Sequence, residues 1–300
     1  MALDERAERE AADRAKAVEA AVGHPGELWD ALVGRVQADG IRDFTDVADS
    51  FLALMWCLDA YRAAQAPPRG MGAPGKPWDT RLSGAYRGKG NWFATLLALL
   101  LDNRTGQKLR SLGKVKGFSQ NHQIDLAWPD REMEPIICVE SKVTGSPAFA
   151  DKPARKAMDD WTNRRKELKF ASTDLKLARR KQTESIDHWD IWRRQALPKC
   201  YMVWAARLSP SDRIESMVRE AAAVVATYLD GAGIVAWQTN VAGTGYELVP
   251  LPTKPSETRV LSLDDVLWQV ESQITDADRR GLAIIPPEPA APVDPDELIG

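Results

Sequence analysis

Cysteine and histidine are scarce, with three of each in 300 residues. Cys57, Cys138 and Cys200 are far apart, odd in number and set among apolar neighbours. That excludes a disulfide framework and a cysteine-based zinc site, and predicts buried thiols in a reducing compartment. His24 and His188 have no partner at ligand spacing, and His122 is expected to pack before it ligates anything. Long apolar runs are missing too. The longest, residues 92–101, is about half of the ~20 residues that cross a bilayer. The N-terminus, MALDERAEREAADRAK, is charged from its fourth residue and has no apolar run or cleavage site, so no signal peptide is expected. No glycine-rich phosphate loop (GxxxxGK[ST], or GxGxxG ahead of a helix) occurs, which argues against a nucleotide cofactor. Neither sign of charge dominates: 40 Lys+Arg face 43 Asp+Glu, for a net charge of −3. A polyelectrolyte is thereby excluded, but a local basic face is not. Together these absences predict a cytoplasmic protein with no membrane partner.

At 44% hydrophobic residues, the chain can fill the core of one large domain with a smaller attachment. Eleven tryptophans, mostly among aliphatics, are expected to pack inside. Residues 2–22 are rich in Ala, Glu, Arg and Lys, as in a solvated helix. Residues 45–65 place Val47, Phe51, Leu54, Met55, Leu58 and Tyr61 at helical spacing. The stretch APPRGMGAPGKPW (66–78) is a breaker-rich linker, so residues 1–78 are expected to form a helical N-terminal region with its linker. Residues 79–284 follow as the principal domain. Residues 285–300, with the run PPEPAAPVDPDELIG, form an acidic, proline-rich tail expected to be disordered.

The chemistry concentrates between Asp125 and Lys142. QIDLAW (123–128) reads as a short strand, PDREMEP (129–135) as a turn and IICVESKV (136–143) as a second, mostly buried strand. Side chains alternate along a strand, so Glu140 and Lys142 share one face and Ser141 takes the other. If the two strands form a hairpin, Asp125 sits beside Glu140. Two carboxylates about 4 Å apart repel by roughly 4 kcal/mol at an effective dielectric near 20. One of them then takes up a proton, or a divalent cation sits between them. A hard cation, Mg²⁺ first, suits two carboxylates, a backbone carbonyl and waters. Lys142 could orient an attacking water and offset phosphoryl charge. A Glu-x-Lys pair on a solvated surface would mean nothing, but the apolar frame of this strand argues against that reading. A second acidic-x-Lys sequence, Asp174-Leu175-Lys176, lies in a helical pattern where its side chains diverge, and is set aside.

The order helix, strand, Asp-strand, turn, Glu-x-Lys strand, helix, strand over residues 88–208 resembles the PD-(D/E)xK nuclease superfamily. Within it the chain is most similar to type II restriction endonucleases. The resemblance implies an α/β fold: a restriction-endonuclease-like αβββαβ core with a mixed central sheet flanked by helices, plus a helical N-terminal extension. Asp125 matches the first acidic position, and Glu140 and Lys142 match E-x-K. Mg²⁺, with Mn²⁺ as a substitute, would be held by Asp125, Glu140 and the Ser141 backbone carbonyl, and Lys142 would position the water. Double-stranded DNA is the implied substrate and a homodimer the implied assembly. Two departures stand out. Ile124 occupies the place of the family's proline, and in Gly90-Asn91-Trp92-Phe93-Ala94 alanine replaces a glutamate common in the first helix, leaving Asn91 as the nearest polar group.

Residues 151–200 carry fourteen Lys+Arg against eight Asp+Glu. One cluster is Arg164, Arg165, Lys166 and Lys169; the other is Lys176, Arg179, Arg180 and Lys181. Trp161, Trp189 and Trp192 are interleaved. Placed after a nuclease-like strand, these clusters are expected to track DNA phosphates. The activity expected is therefore Mg²⁺-dependent hydrolysis of DNA phosphodiester bonds by a sequence-specific restriction endonuclease. Alternatives are another DNA-processing or modification-dependent nuclease of that superfamily, and a non-catalytic DNA-binding protein on a degenerate nuclease fold.

Overall fold

A computed structural model of the chain describes residues 2–65, 77–148, 153–159, 161–180, 188–252 and 260–283, with backbone alone at 2–9, 11, 65 and 77–87. Lys181, the tail from residue 285 and linker residues 66–76 lie outside these. Helices α1 (Ala2–Val22), α2 (Pro25–Asp39) and α3 (Ala48–Gln65) precede the long α4 (Pro77–Thr105). Strands β1 (Arg110–Lys116), β2 (Asn121–Trp128) and β3 (Ile137–Thr144) follow. Next come α5 (Trp161–Ala178), α6 (Trp189–Gln195), β4 (Lys199–Arg207), α7 (Ile214–Thr227) and β5 (Gly231–Thr239). The described chain closes with β6 (Tyr246–Val249), β7 (Val260–Ser262) and α8 (Leu263–Arg279).

The seven strands make one mixed, open sheet in the order β1-β2-β3-β4-β5-β6, with β7 also on β5. β1, β2 and β3 are antiparallel neighbours; β3, β4 and β5 run parallel. Helices cover both faces. On one, α2, α3, α4 and α8 pack Phe51, Phe93, Leu97 and Val266 against Leu126, Val139, Val203 and Trp237. On the other, α5 and α7 pack Leu168, Leu175, Met217 and Val224 against Cys138, Cys200, Met202 and Ile234. This is the alternation expected of strands buried on both sides. All three cysteines are free and buried.

The N-terminal helices are not a separable extension. Leu32, Val36, Phe51 and Met55 share one apolar core with α4, α8 and the sheet. Polar ties cross the same boundary. The Asp59 carboxylate on α3 pairs with the buried Lys89 ammonium on α4 and accepts the Tyr246 hydroxyl of β6 at 2.7 Å. Asp264, in the first turn of α8, accepts backbone N–H groups of Phe44 and Thr45, some 220 residues away. The α8 sequence explains its own start: the Ser262 hydroxyl accepts the Asp265 N–H at 3.2 Å, an N-cap ahead of apolar residues at helical spacing. No described helix is long and apolar enough to cross a membrane.

β3 ends at a position only glycine fits. Gly145 has φ +76, and a Cβ there would lie 2.0 Å from the Arg207 carbonyl oxygen. Gly145→Ala therefore combines backbone strain with a clash against main chain. It should cost about 2–4 kcal/mol, read as a lower urea midpoint with an unchanged slope. A midpoint equal to wild type would mean that the end of β3 is not held against β4 in this way.

Candidate active site

The geometry of the site begins with a flaw in β2. Ile124 packs toward α5 and α7, yet Leu126 and Trp128 pack toward α4 and α8. Strict alternation would put all three on one face. The switch falls at Asp125, opposite Leu112 of β1, whose φ is +49. On one side of this point β1 pairs Ser111 with Leu126, and on the other Gly113 with Ile124. The β2–β3 ladder runs from Trp128↔Ile137 to Leu126↔Val139. Beyond it the Asp125 carboxylate does the pairing: Oδ2 accepts the Ser141 N–H at 2.7 Å and the Ser141 hydroxyl at 2.9 Å. The hairpin reading sets Asp125 beside Glu140; the kink sets its carboxylate against Ser141, one residue on.

Glu140 and Lys142 share a face as alternation requires. The Lys142 ammonium donates to Glu140 Oε2 at 3.0 Å, with side chains 23% and 16% exposed respectively. Burial pushes the Glu140 carboxyl up to about 7, with Lys142 opposing and the Asp125 charge reinforcing the rise. Burial alone would lower Lys142, but Glu140 and Asp125 overcome it and hold the ammonium above its ordinary value. Lys142 is therefore a fixed cation at neutral pH.

Asp125 and Lys142 line an open cleft of about 260 Å³ at the C-terminal end of β3. Its other walls include Asn91 of α4, Arg155 and Lys156 beyond β3, and Arg164 of α5. Glu140 and Lys142 also line an adjoining cavity of about 230 Å³ under α5. Lys142 thus stands between the two. Arg164 is 45% exposed and pairs with Glu167 at 2.9 Å, a surface contact it can exchange for another anion.

The rest of the basic region divides sharply. Lys166 is exposed. Arg165 reaches Glu220 at 3.3 Å, where the Trp161 indole N–H also donates, bracing α5 on α7. Lys169 lies 4.5 Å from the ring centre of Tyr228. Lys176 is only 1% exposed and donates to Asp230 at 2.8 Å and to the Arg193 carbonyl at 2.9 Å, so it cannot reach a phosphate. Its position on the inner stripe of α5 put a charge where the helix packs, and Asp230 compensates it. Arg179 donates to the Glu134 and Pro135 carbonyls and holds the β2–β3 turn. Arg180 is exposed. The first cluster thus supplies cleft-facing charge through Arg164, and the second is largely structural. Arg155 and Lys156, which the clusters omit, join the site because they follow β3 directly; that adjacency was the signal available in the sequence.

Asp174, set aside as a catalytic residue, proves to be a brace. It accepts from the Ser119 N–H at 2.9 Å and hydroxyl at 2.7 Å, and lies 2.7 Å from His122 Nε2. Burial alone would raise its pKa, but these bonds hold the carboxyl below its ordinary value. His122 is buried, as packing predicts. His24 instead caps α2, its Nδ1 accepting the Gly26 N–H at 3.2 Å.

Among the described residues no group of three His, Cys, Asp or Glu is arranged to hold a metal. A Mg²⁺ ion needs less, because it keeps several waters and uses one or two carboxylates. Each expected ligand carboxylate already has one oxygen engaged, Asp125 Oδ2 by Ser141 and Glu140 Oε2 by Lys142. The chain matches no protein-family model, no curated protein and no solved structure.

The raised Glu140 pKa has a definite sign. Below about 4.5 the carboxyl is protonated folded and unfolded; between 4.5 and about 7 the unfolded chain sheds the proton first, so stability falls as pH rises. In EDTA, the urea stability of wild type relative to Glu140→Gln should drop by about 3 kcal/mol from pH 4.5 to 8. A difference that stays flat across this range would place Glu140 in water.

Proposed function

We propose that the chain is a Mg²⁺-dependent endonuclease that hydrolyses DNA phosphodiester bonds, a type II restriction endonuclease of the PD-(D/E)xK superfamily acting as a homodimer on double-stranded DNA. The observation that carries this reading is the meeting of Asp125 and Lys142 in one cationic cleft, with Glu140 paired to Lys142 behind it. The order α4, β1, β2, β3, α5, β4, with β1–β3 antiparallel and β4 parallel to β3, agrees with the αβββαβ core that the resemblance implies.

Asp125, Glu140 and the Ser141 carbonyl would hold Mg²⁺. When bound, such an ion polarises the phosphate and lowers the pKa of a coordinated water. Each remaining task falls to a residue of the chain. Arg155, Lys156 and Arg164 hold the phosphodiester at the mouth of the cleft. Lys142, a permanent cation, aims the water in line with the leaving oxygen and offsets charge on the phosphoryl group. It does not act as the base, because its proton is held too tightly. Glu140, buried and paired with Lys142, still has a raised pKa that a bound cation would lower, which would tie its ionisation to occupancy.

One observation favours a non-catalytic DNA-binding protein: α4 offers the cleft Asn91 and Gly90, with no carboxylate from the first helix. Digestion of unmethylated phage DNA decides between the two. Discrete fragments in Mg²⁺ and none in EDTA are the expected result. A smear would make it a non-specific nuclease, and intact DNA at saturating protein would leave the binding reading in its place.

A further inference from the structure

The cavity on the α5 side of Lys142 has a chemistry of its own. The cleft on the α4 side is walled by Arg155, Lys156 and Arg164 together with Asp125 and Asp159, whereas this cavity of about 230 Å³ is walled by Gln120, His122, Gln123 and Phe170, with Glu140, Lys142 and Glu167 also lining it. The Phe170 ring is 49% exposed and lies 5.5 Å from the His122 ring, tilted by 59°. A second aromatic, Phe118, is 72% exposed on the β1–β2 turn. That turn is fastened, not loose. The Phe118 N–H donates to the Asp174 carbonyl at 3.2 Å, and Ser119 and His122 engage the Asp174 carboxylate. Gly117 permits the arrangement: a Cβ there would lie 2.1 Å from Asp174 Oδ2. The buried Asp174 carboxylate thus fastens the turn that carries Phe118 and the His122 ring that lies beside Phe170.

We infer that this cavity is a nucleobase site, taking the base next to the scissile phosphate out of the stack. The inference rests on the nuclease reading for the position of that phosphate. An aromatic face stacks on any base, and a glutamine amide matches the donor and acceptor edges of a base; the Gln123 amide NH2 donates to the Leu112 carbonyl, which leaves its oxygen and the Gln120 amide for that role. The two walls divide a nucleotide as its chemistry divides: phosphate to Arg155, Lys156 and Arg164, base to Phe170 and the glutamines, with Lys142 between. A greasy protein partner would need no amides and no route to the catalytic lysine. Extruding a base from a duplex costs unpairing and unstacking, so a single strand enters such a site more easily than a duplex does.

The test is equilibrium binding of the full chain, in EDTA, to a mixed-sequence single-stranded oligonucleotide and to its duplex. Wild type should bind the single strand with help from stacking, and the duplex through phosphate contacts that need none. Phe170→Ala should lose about tenfold in single-strand affinity, Phe170→Leu should lose as much, and Phe170→Trp should retain wild-type affinity. Phe170 is half exposed, and matching melting temperatures exclude misfolding as the cause. Equal single-strand binding by wild type and Phe170→Ala, or an equal loss on single strand and duplex, overturns the base site. So does wild-type binding by Phe170→Leu, which would mean an apolar cover. The nuclease reading fails separately: stacking with no Mg²⁺-dependent cleavage would sink it alone, and cleavage with an inert Phe170 would sink only the base site.

Discussion

An ionisable pair in the middle of an apolar strand is the constraint from which the rest follows. β3 runs from Ile137 to Thr144 through the centre of the sheet, and Glu140 and Lys142 interrupt its apolar run. Neither can reach water freely, and each is held by the other at 3.0 Å. A buried ion pair contributes little net stability over a packed apolar pair of the same size. Unlike the buried Lys176–Asp230 pair, this one opens on the cleft through Lys142. The surroundings are built to keep it: β2 kinks at Asp125 so that a third charged group arrives from the side, and Gly145 ends the strand where the cleft opens.

Much of this was legible from residues alone. The strands containing Asp125 and Glu140, the helical stripe of Phe51, Leu54 and Met55, and the shared face of Glu140 and Lys142 follow from periodicities of 3.6 and 2. What escaped were effects no period encodes. The β2 kink depends on Leu112 adopting a positive φ on the neighbouring strand, so the Asp125 carboxylate, though near enough to act on Glu140, hydrogen-bonds Ser141. Lys176 looked like part of a basic face because its partner, Asp230, is 54 residues away. α4 begins at Pro77, inside what composition marked as a linker. Composition changes at residue 66, but it does not encode that the apolar faces of α2 and α3 share one core with α4 and the sheet.

The two sides of Lys142 give the site a polarity. Toward α4 the walls are cationic and open; toward α5 they are aromatic and amide-bearing, fixed by Asp174. On α5, Arg165 and Lys176 are tied to Glu220 and Asp230, whereas Arg164 lines the cleft with Arg155 and Lys156. Composition marks the local excess of charge but not which cations burial ties into the fold.

The account stands or falls on the carboxylates. Asp125→Asn and Glu140→Gln each remove one negative charge facing a phosphate and one hard oxygen ligand, with little change of shape. Measured side by side on the same plasmid DNA, cleavage in Mg²⁺ and binding in EDTA should separate completely. The account predicts that both variants lose cleavage while binding DNA at least as tightly as wild type. Mg²⁺-dependent cleavage persisting in either variant would contradict it.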